Sequence, residues 1–205
     1  MYIWEASEVF SQTLVGCKAM TDLIMTDEKL KIEFNKLQKD IFSDDWETVK
    51  SAGNRLGKIG GKEVVDFLIS LLSLDNSSIR DRAALALEEI KDSRAVEPLL
   101  NSILKKENHN FNGTMVFALE SLDCSKKLKD IFRILFFESY ECKISAYEIL
   151  FDQVFDFTKD DIIEIQKMWD YCKSNPEKCP NYDDAEIRKM MQDAFDAYIG
   201  YLKTD

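Results

Sequence analysis

The sequence predicts an all-α protein, an α-solenoid in which antiparallel helix pairs stack into a right-handed superhelix. Three observations predict it. Backbone punctuation is sparse: 205 residues hold only 7 Gly and 3 Pro, while Ala, Leu, Lys and Glu are frequent, a balance that favours helices. Apolar residues make up 45% and charged residues 32%, enough for a packed core and too apolar for a disordered chain. The apolar pattern recurs along the chain at an offset of 31 to 32 residues, and a period of that size marks stacked repeats.

In chain order, Ile3, Phe10, Leu14, Cys17 and Ile24 have roughly helical spacing and predict a helix that closes the N-terminal end. Phe34, Leu37 and Ile41 sit 31 residues before Val65, Leu68 and Leu72 and read as the second helix of a degenerate leading unit. Residues 44–74, "DDWETVKSAGNRLGKIGGKEVVDFLISLLSL", align with residues 75–105, "DNSSIRDRAALALEEIKDSRAVEPLLNSILK". Ala52 falls on Ala83, Leu56 on Leu87 and Ile59 on Ile90; Val65 falls on Val96, Leu68 on Leu99 and Leu72 on Ile103. A third copy carries Ala118, Leu119 and Leu122, then Leu128, Ile131 and Leu135. A fourth, looser copy carries Ala146, Tyr147 and Leu150, then Ile162, Ile165 and Trp169, joined by the longer "FDQVFDFTKD". Residues 173–183 hold two prolines and read as a loop, and Ile187, Met190, Met191, Ala194, Tyr198 and Leu202 predict a final capping helix. The expected organisation is one domain over 1–205: N-terminal helices at 1–43, repeats at 44–172, and a loop with a capping helix at 173–205.

Each unit reads as a helix A with small residues, where helices must approach closely, and a helix B of branched aliphatics. Such a pair cannot bury its apolar stripe alone, so it specifies a neighbour on each side. Between the helices of the second unit, Asp92 is a suitable N-cap, and Pro98 falls in the first turn of helix B, where its missing N–H costs little. With Arg80, Ala83, Ala84, Leu87, Ile90, Asp92, Ala95, Val96, Leu99 and Leu100 at the pattern positions, this unit resembles the HEAT-like repeats of phycobilisome lyases. The 44–74 copy resembles them almost as well. The third and fourth copies lack the Arg, and the fourth lacks the short Asp turn. The resemblance implies the fold; such repeats occur in enzymes, scaffolds and inhibitors alike.

The net charge is −11, which argues against a nucleic-acid binder, because phosphate neutralisation needs clustered Lys and Arg. Residues 138–205 hold 16 acids against 8 bases, so most of the excess lies in the last third, as a solvated end or as a surface for a basic partner. The first residues lack the basic and apolar regions of a signal peptide, and no apolar run is long enough to span a bilayer. Five scattered cysteines then read as reduced thiols of a cytoplasmic protein. Cys172 and Cys179 lack zinc-knuckle spacing and a second pair.

Candidate chemistry is thin. The single His109 lies in an Asn-rich loop, "GKIGGKE" lacks phosphate-loop spacing, and paired carboxylates such as Asp160/Asp161 sit where helix termini favour acids. The expectation is therefore no catalytic residue, no metal and no cofactor. The leading reading is a monomeric, non-catalytic protein-binding module, with an immunity-type inhibitor that sequesters a basic toxin or enzyme in a bacterium as its special case. The B helices would line the concave side and present Asp66, Ser70, Glu97, Asn101, Lys129, Arg133 and Lys167 to the partner. The rival reading is a phycobilin-lyase-like enzyme or chromophore handler, leaning on Cys142, Tyr140 and Tyr147. A nucleic-acid-binding member, like the alkylpurine glycosylases, would need a basic concave face. No membrane association is expected.

Overall fold

The computed structural model describes residues 28–202, and all regular structure among them is helical. Residues 28–40 form α1. It is followed by α2 (Trp46–Ile59), α3 (Lys62–Leu71), α4 (Ser77–Ile90), α5 (Val96–Ile103) and α6 (Gly113–Leu119). The remainder comprises α7 (Leu128–Phe137), α8 (Tyr140–Asp152), α9 (Lys159–Ser174) and α10 (Ala185–Ile199). The expected N-terminal helix over 3–25 lies outside the described residues. The chain divides into two compact units between Ala52 and Gly53, inside α2. The described part of the first unit holds α1, where the predicted helix lies, and the start of α2, with Leu37, Ile41, Val49 and Ala52 buried. Asp45 starts α2 by accepting from the Thr48 N–H at 2.9 Å.

In the second unit the helices alternate as the repeat predicts. The A helices α4, α6, α8 and α10 each pack on the next, and the B helices α3, α5, α7 and α9 each pack on the A helix that follows. Small residues permit the A-helix approach: a Cβ added to Gly57 would meet Cβ of Glu89 at 3.2 Å and Cα of Ala86 at 3.4 Å. Hydrogen bonds reinforce the same contacts, Ser121 Oγ donating to Glu88 at 2.9 Å. The first A-to-B turn uses Gly60 and Gly61 at φ of 60° and 85°, and the second uses Lys91 at φ 58°. Asp92 caps the following 3-10 turn Ser93–Ala95 through the Arg94 N–H, and Pro98 lies in the first turn of α5.

The Arg of the repeat pattern has a defined task. Arg80, fourth residue of α4, is buried and donates through Nη1 to the carbonyls of Leu74 (2.8 Å) and Asp75 (2.9 Å), which follow α3. These carbonyls end the preceding B helix and otherwise lack partners. The fourth copy, which has no Arg, solves the same problem with Lys143, fourth residue of α8: its Nζ donates to Leu135 (2.8 Å) and Phe136 (2.9 Å). Arg188, fourth residue of α10, likewise donates to Tyr182. The third copy has Val116 there, and Asn112, just before α6, donates to Ile103 O at 3.0 Å instead. The predicted capping helix α10 is thus built like an A helix, with Asp184 as its N-cap.

The long aromatic connection before α9 is tied down by Gln153. Its Oε1 accepts from the Cys124 N–H (2.9 Å), and its Nε2 donates to Leu122 O (2.9 Å), so it doubles the turn of the third copy. The aromatic run itself is mostly core: Phe136 stacks on Trp169 with ring centroids 5.4 Å apart, and Tyr198 donates from its hydroxyl to Leu150 O at 2.9 Å.

Candidate interaction surface

The seven residues predicted to face a partner lie on four successive B helices: Asp66 and Ser70 on α3, Glu97 and Asn101 on α5, Lys129 and Arg133 on α7, and Lys167 on α9. All are exposed except Lys129, which is half-buried. Helix periodicity explains this, because each lies between the buried positions of its own helix, as Asp66 does between Val65 and Leu68.

The row is braced by ion pairs that step from one unit to the next. Asp66 pairs with Arg94 at 2.7 Å, and Arg94 is held in turn by Asp92 at 2.8 Å. Glu97 pairs with Lys127. Lys129 reaches across to Asp161 (3.2 Å) and Glu164 (3.0 Å) on α9, which hold its ammonium above the usual lysine range. In the first two rungs the acid precedes the base; in the third the order reverses. Arg94, Lys127, Asp161 and Glu164 were not among the predicted residues. Their signal was present as opposite charges 28 to 35 positions downstream of the row, but Arg94 and Lys127 lie in turns, which show no helical periodicity, and Asp161 and Glu164 fall near a helix start, where acids are expected for the dipole. Arg133 and Lys167 make no ion pair among the described residues. The row is therefore acidic on α3 and α5 and offers uncommitted cations on α7 and α9.

The thiols lie elsewhere. Cys142 is 0% exposed, and its thiol donates to Asn112 Oδ1 at 3.1 Å. Asn112 Nδ2 donates to the buried Glu138 carboxylate at 2.8 Å, and His109 Nδ1 lies 3.1 Å from the same carboxylate. Cys, Asn, Glu and His thus form a chain in which His109 never meets the sulfur, and burial raises the Cys142 thiol above its ordinary range. A thiol so placed is a poor nucleophile. Burial likewise pushes Cys124 up to about 12. Cys172 and Cys179 are buried with sulfurs 2.6 Å apart, and their shared hydrogen bond together with burial raises Cys172. Among the described residues no group of three or more His, Cys, Asp and Glu is arranged to hold a metal. Of the rival set, Tyr140 is exposed and Tyr147 half-buried, on a face of α8 away from Cys142.

Residues 36–120 match the family model for HEAT repeats. Over these residues the chain is built of HEAT-like repeats. HEAT repeats serve in general as non-catalytic scaffolds for protein–protein interaction. The match ends at the close of α6, and the carbonyl-holding Lys143 and Arg188 carry the same construction onward through α8 and α10. No curated protein matches this chain. No helix among the described residues is long and apolar enough to cross a membrane.

Proposed function

We propose that this HEAT-like protein is a non-catalytic binding module that holds a partner protein against the outward row of α3, α5, α7 and α9, in the manner of a bacterial cytoplasmic inhibitor or immunity protein. The observation that carries this reading is the row itself. Four successive helices present exposed polar side chains in register, braced from below by Arg94, Lys127, Asp161 and Glu164. Bracing matters because a pre-ordered side chain loses less entropy on binding. The change of sign along the row suits a protein surface with a matching acidic and basic end better than a uniform polyion. The buried thiols and the separated His109 and Cys142 offer no competing chemistry on that face.

The test is capture from a lysate of the native host with the full chain as bait, beside the charge-reversed pair Arg133→Glu/Lys167→Glu and the pair Asp66→Lys/Glu97→Lys. The reading expects one stoichiometric partner with the wild-type chain and its loss with at least one pair. Retention of the same partner by both pairs would place binding elsewhere, and turnover of a small-molecule substrate by the purified chain would remove the non-catalytic reading.

A further inference from the structure

Helix α8 is apolar on two sides. Its inward side holds Cys142, Ala146, Ile149 and Leu150, all buried. Its outward side holds Tyr140, Ile144, Tyr147 and Phe151, spaced by four, three and four residues and so aligned on one face. Tyr140, Ile144 and Phe151 are 50%, 36% and 51% exposed, and Val154 just beyond is 89% exposed. Tyr147 and Phe151 stack with ring centroids 4.5 Å apart, so the row is ordered. On the Glu141 side lies the neighbouring A helix: a Cβ on Gly113 would lie 3.5 Å from Cβ of Glu141, and Phe117, one turn further along α6, is also exposed. Among the described residues nothing covers Tyr140, Ile144 or Phe151, and contiguous exposed apolar surface of this kind marks an interaction site.

Alongside it runs a second stripe, Glu141, Glu148 and Asp152, all exposed. None of the three makes an ion pair among the described residues, unlike the braced acids of the B helices. Lys189 on α10, which interacts electrostatically with Tyr147, is already bound to Asp193. Glu141 accepts from Ser139 Oγ at 3.2 Å, but no cation neutralises the stripe among the described residues, and an apolar row edged by such carboxylates selects its ligand by both properties. We infer that the outward face of α8 docks a basic amphipathic helix of a partner protein, its apolar side on Tyr140, Ile144, Tyr147 and Phe151 and its Lys or Arg side chains against Glu141, Glu148 and Asp152. Helix-on-helix docking of this kind uses anchors at the same three- and four-residue spacing on the ligand. The site lies on A helices, away from the B-helix row, so either can fail without the other.

The test uses the full chain and a fluorescein-labelled Leu/Lys amphipathic peptide of about 18 residues, five helical turns, beside a Leu/Glu counterpart. Anisotropy titration is expected to show binding of the Leu/Lys peptide only, weakened by raised salt. Glu148→Lys/Asp152→Lys and Ile144→Asp/Phe151→Asp should each weaken it at least ~10-fold, while Arg133→Glu/Lys167→Glu should leave it unchanged. Should the second of these variants lose its helical circular dichroism, the exposed Glu148/Asp152 pair decides. Equal binding of both peptides, no binding, or indifference to the Glu148/Asp152 reversal would overturn the inference. So would concentration-dependent self-association abolished by Phe151→Asp, which would make a second copy of this chain the occupant.

Discussion

Lys143 shows how one side chain sets the local structure. Its ammonium is fully buried, yet both its hydrogen bonds go to backbone carbonyls at the end of α7. Removing it strands those carbonyls, so Lys143→Met should cost about 2–4 kcal/mol in urea unfolding, on a typical penalty of ~1–3 per unpaired buried group. Burial lowers its pKa from the ordinary lysine value to about 8. Between that value and the unfolded one, the unfolded chain binds the extra proton, so this group's contribution to stability rises with pH across the window. The penalty of Lys143→Met should therefore be larger at pH 10 than at pH 7, since the neutral amine still donates both hydrogen bonds without the cost of a buried charge. A penalty that shrinks over the same range would contradict the placement. The sequence comparison saw only a missing Arg at this position. A Lys inside a helix that also carries Glu141, Glu148 and Asp152 reads as another exposed charge until its carbonyl partners, seven and eight residues upstream, are known to fold back against it.

At the scale of elements, the starts of helices were the most readable feature. Asp92 and the short turn around it followed from residue type alone, because N-caps depend on local hydrogen bonds. Helix α9 begins with a capping box: Thr158 Oγ1 accepts from the Asp161 N–H, and the Asp161 carboxylate accepts from the Thr158 N–H at 2.8 Å. Thr158→Ala should cost about 1 kcal/mol. Those bonds, from the Thr158 backbone first and its hydroxyl second, hold Asp161 below the usual carboxylate range. A depressed acid contributes stability above its unfolded value near 3.8 and loses it as pH falls through the folded one. Unfolding midpoints measured from pH 5 down to pH 2 should accordingly fall less steeply for Asp161→Asn than for the wild type. What the sequence hid at this scale was α8. Its two apolar faces nearly cancel the periodic contrast that identifies a core-facing stripe, so its outward row merged with the surrounding aromatic run. The long link before α9 was similarly opaque, because Gln153 acts on carbonyls of another unit.

For the molecule as a whole, the period of 31 to 32 residues was enough to specify stacked helix pairs, and the alternation of α3 through α10 follows it. Charge was harder to read. A net of −11 suggested a generally acidic surface, whereas the acids of the B-helix row are braced by ion pairs and the acidic stripe of α8 makes none among the described residues. Bracing of exposed ions adds little stability: a double-mutant cycle on Asp66 and Arg94 should give a coupling indistinguishable from zero. A larger value would show that the pair holds the stack together rather than presenting a surface. The central claim, that a partner protein lies on the B-helix row, is tested most directly by photo-crosslinking in the native host with a photoreactive residue placed at Asn101, at Lys167 or, as a control, at Glu89 on α4. The account predicts one and the same protein crosslinked from Asn101 and Lys167 and none from Glu89. Crosslinking from Glu89 alone, or unrelated proteins from the first two positions, would contradict it.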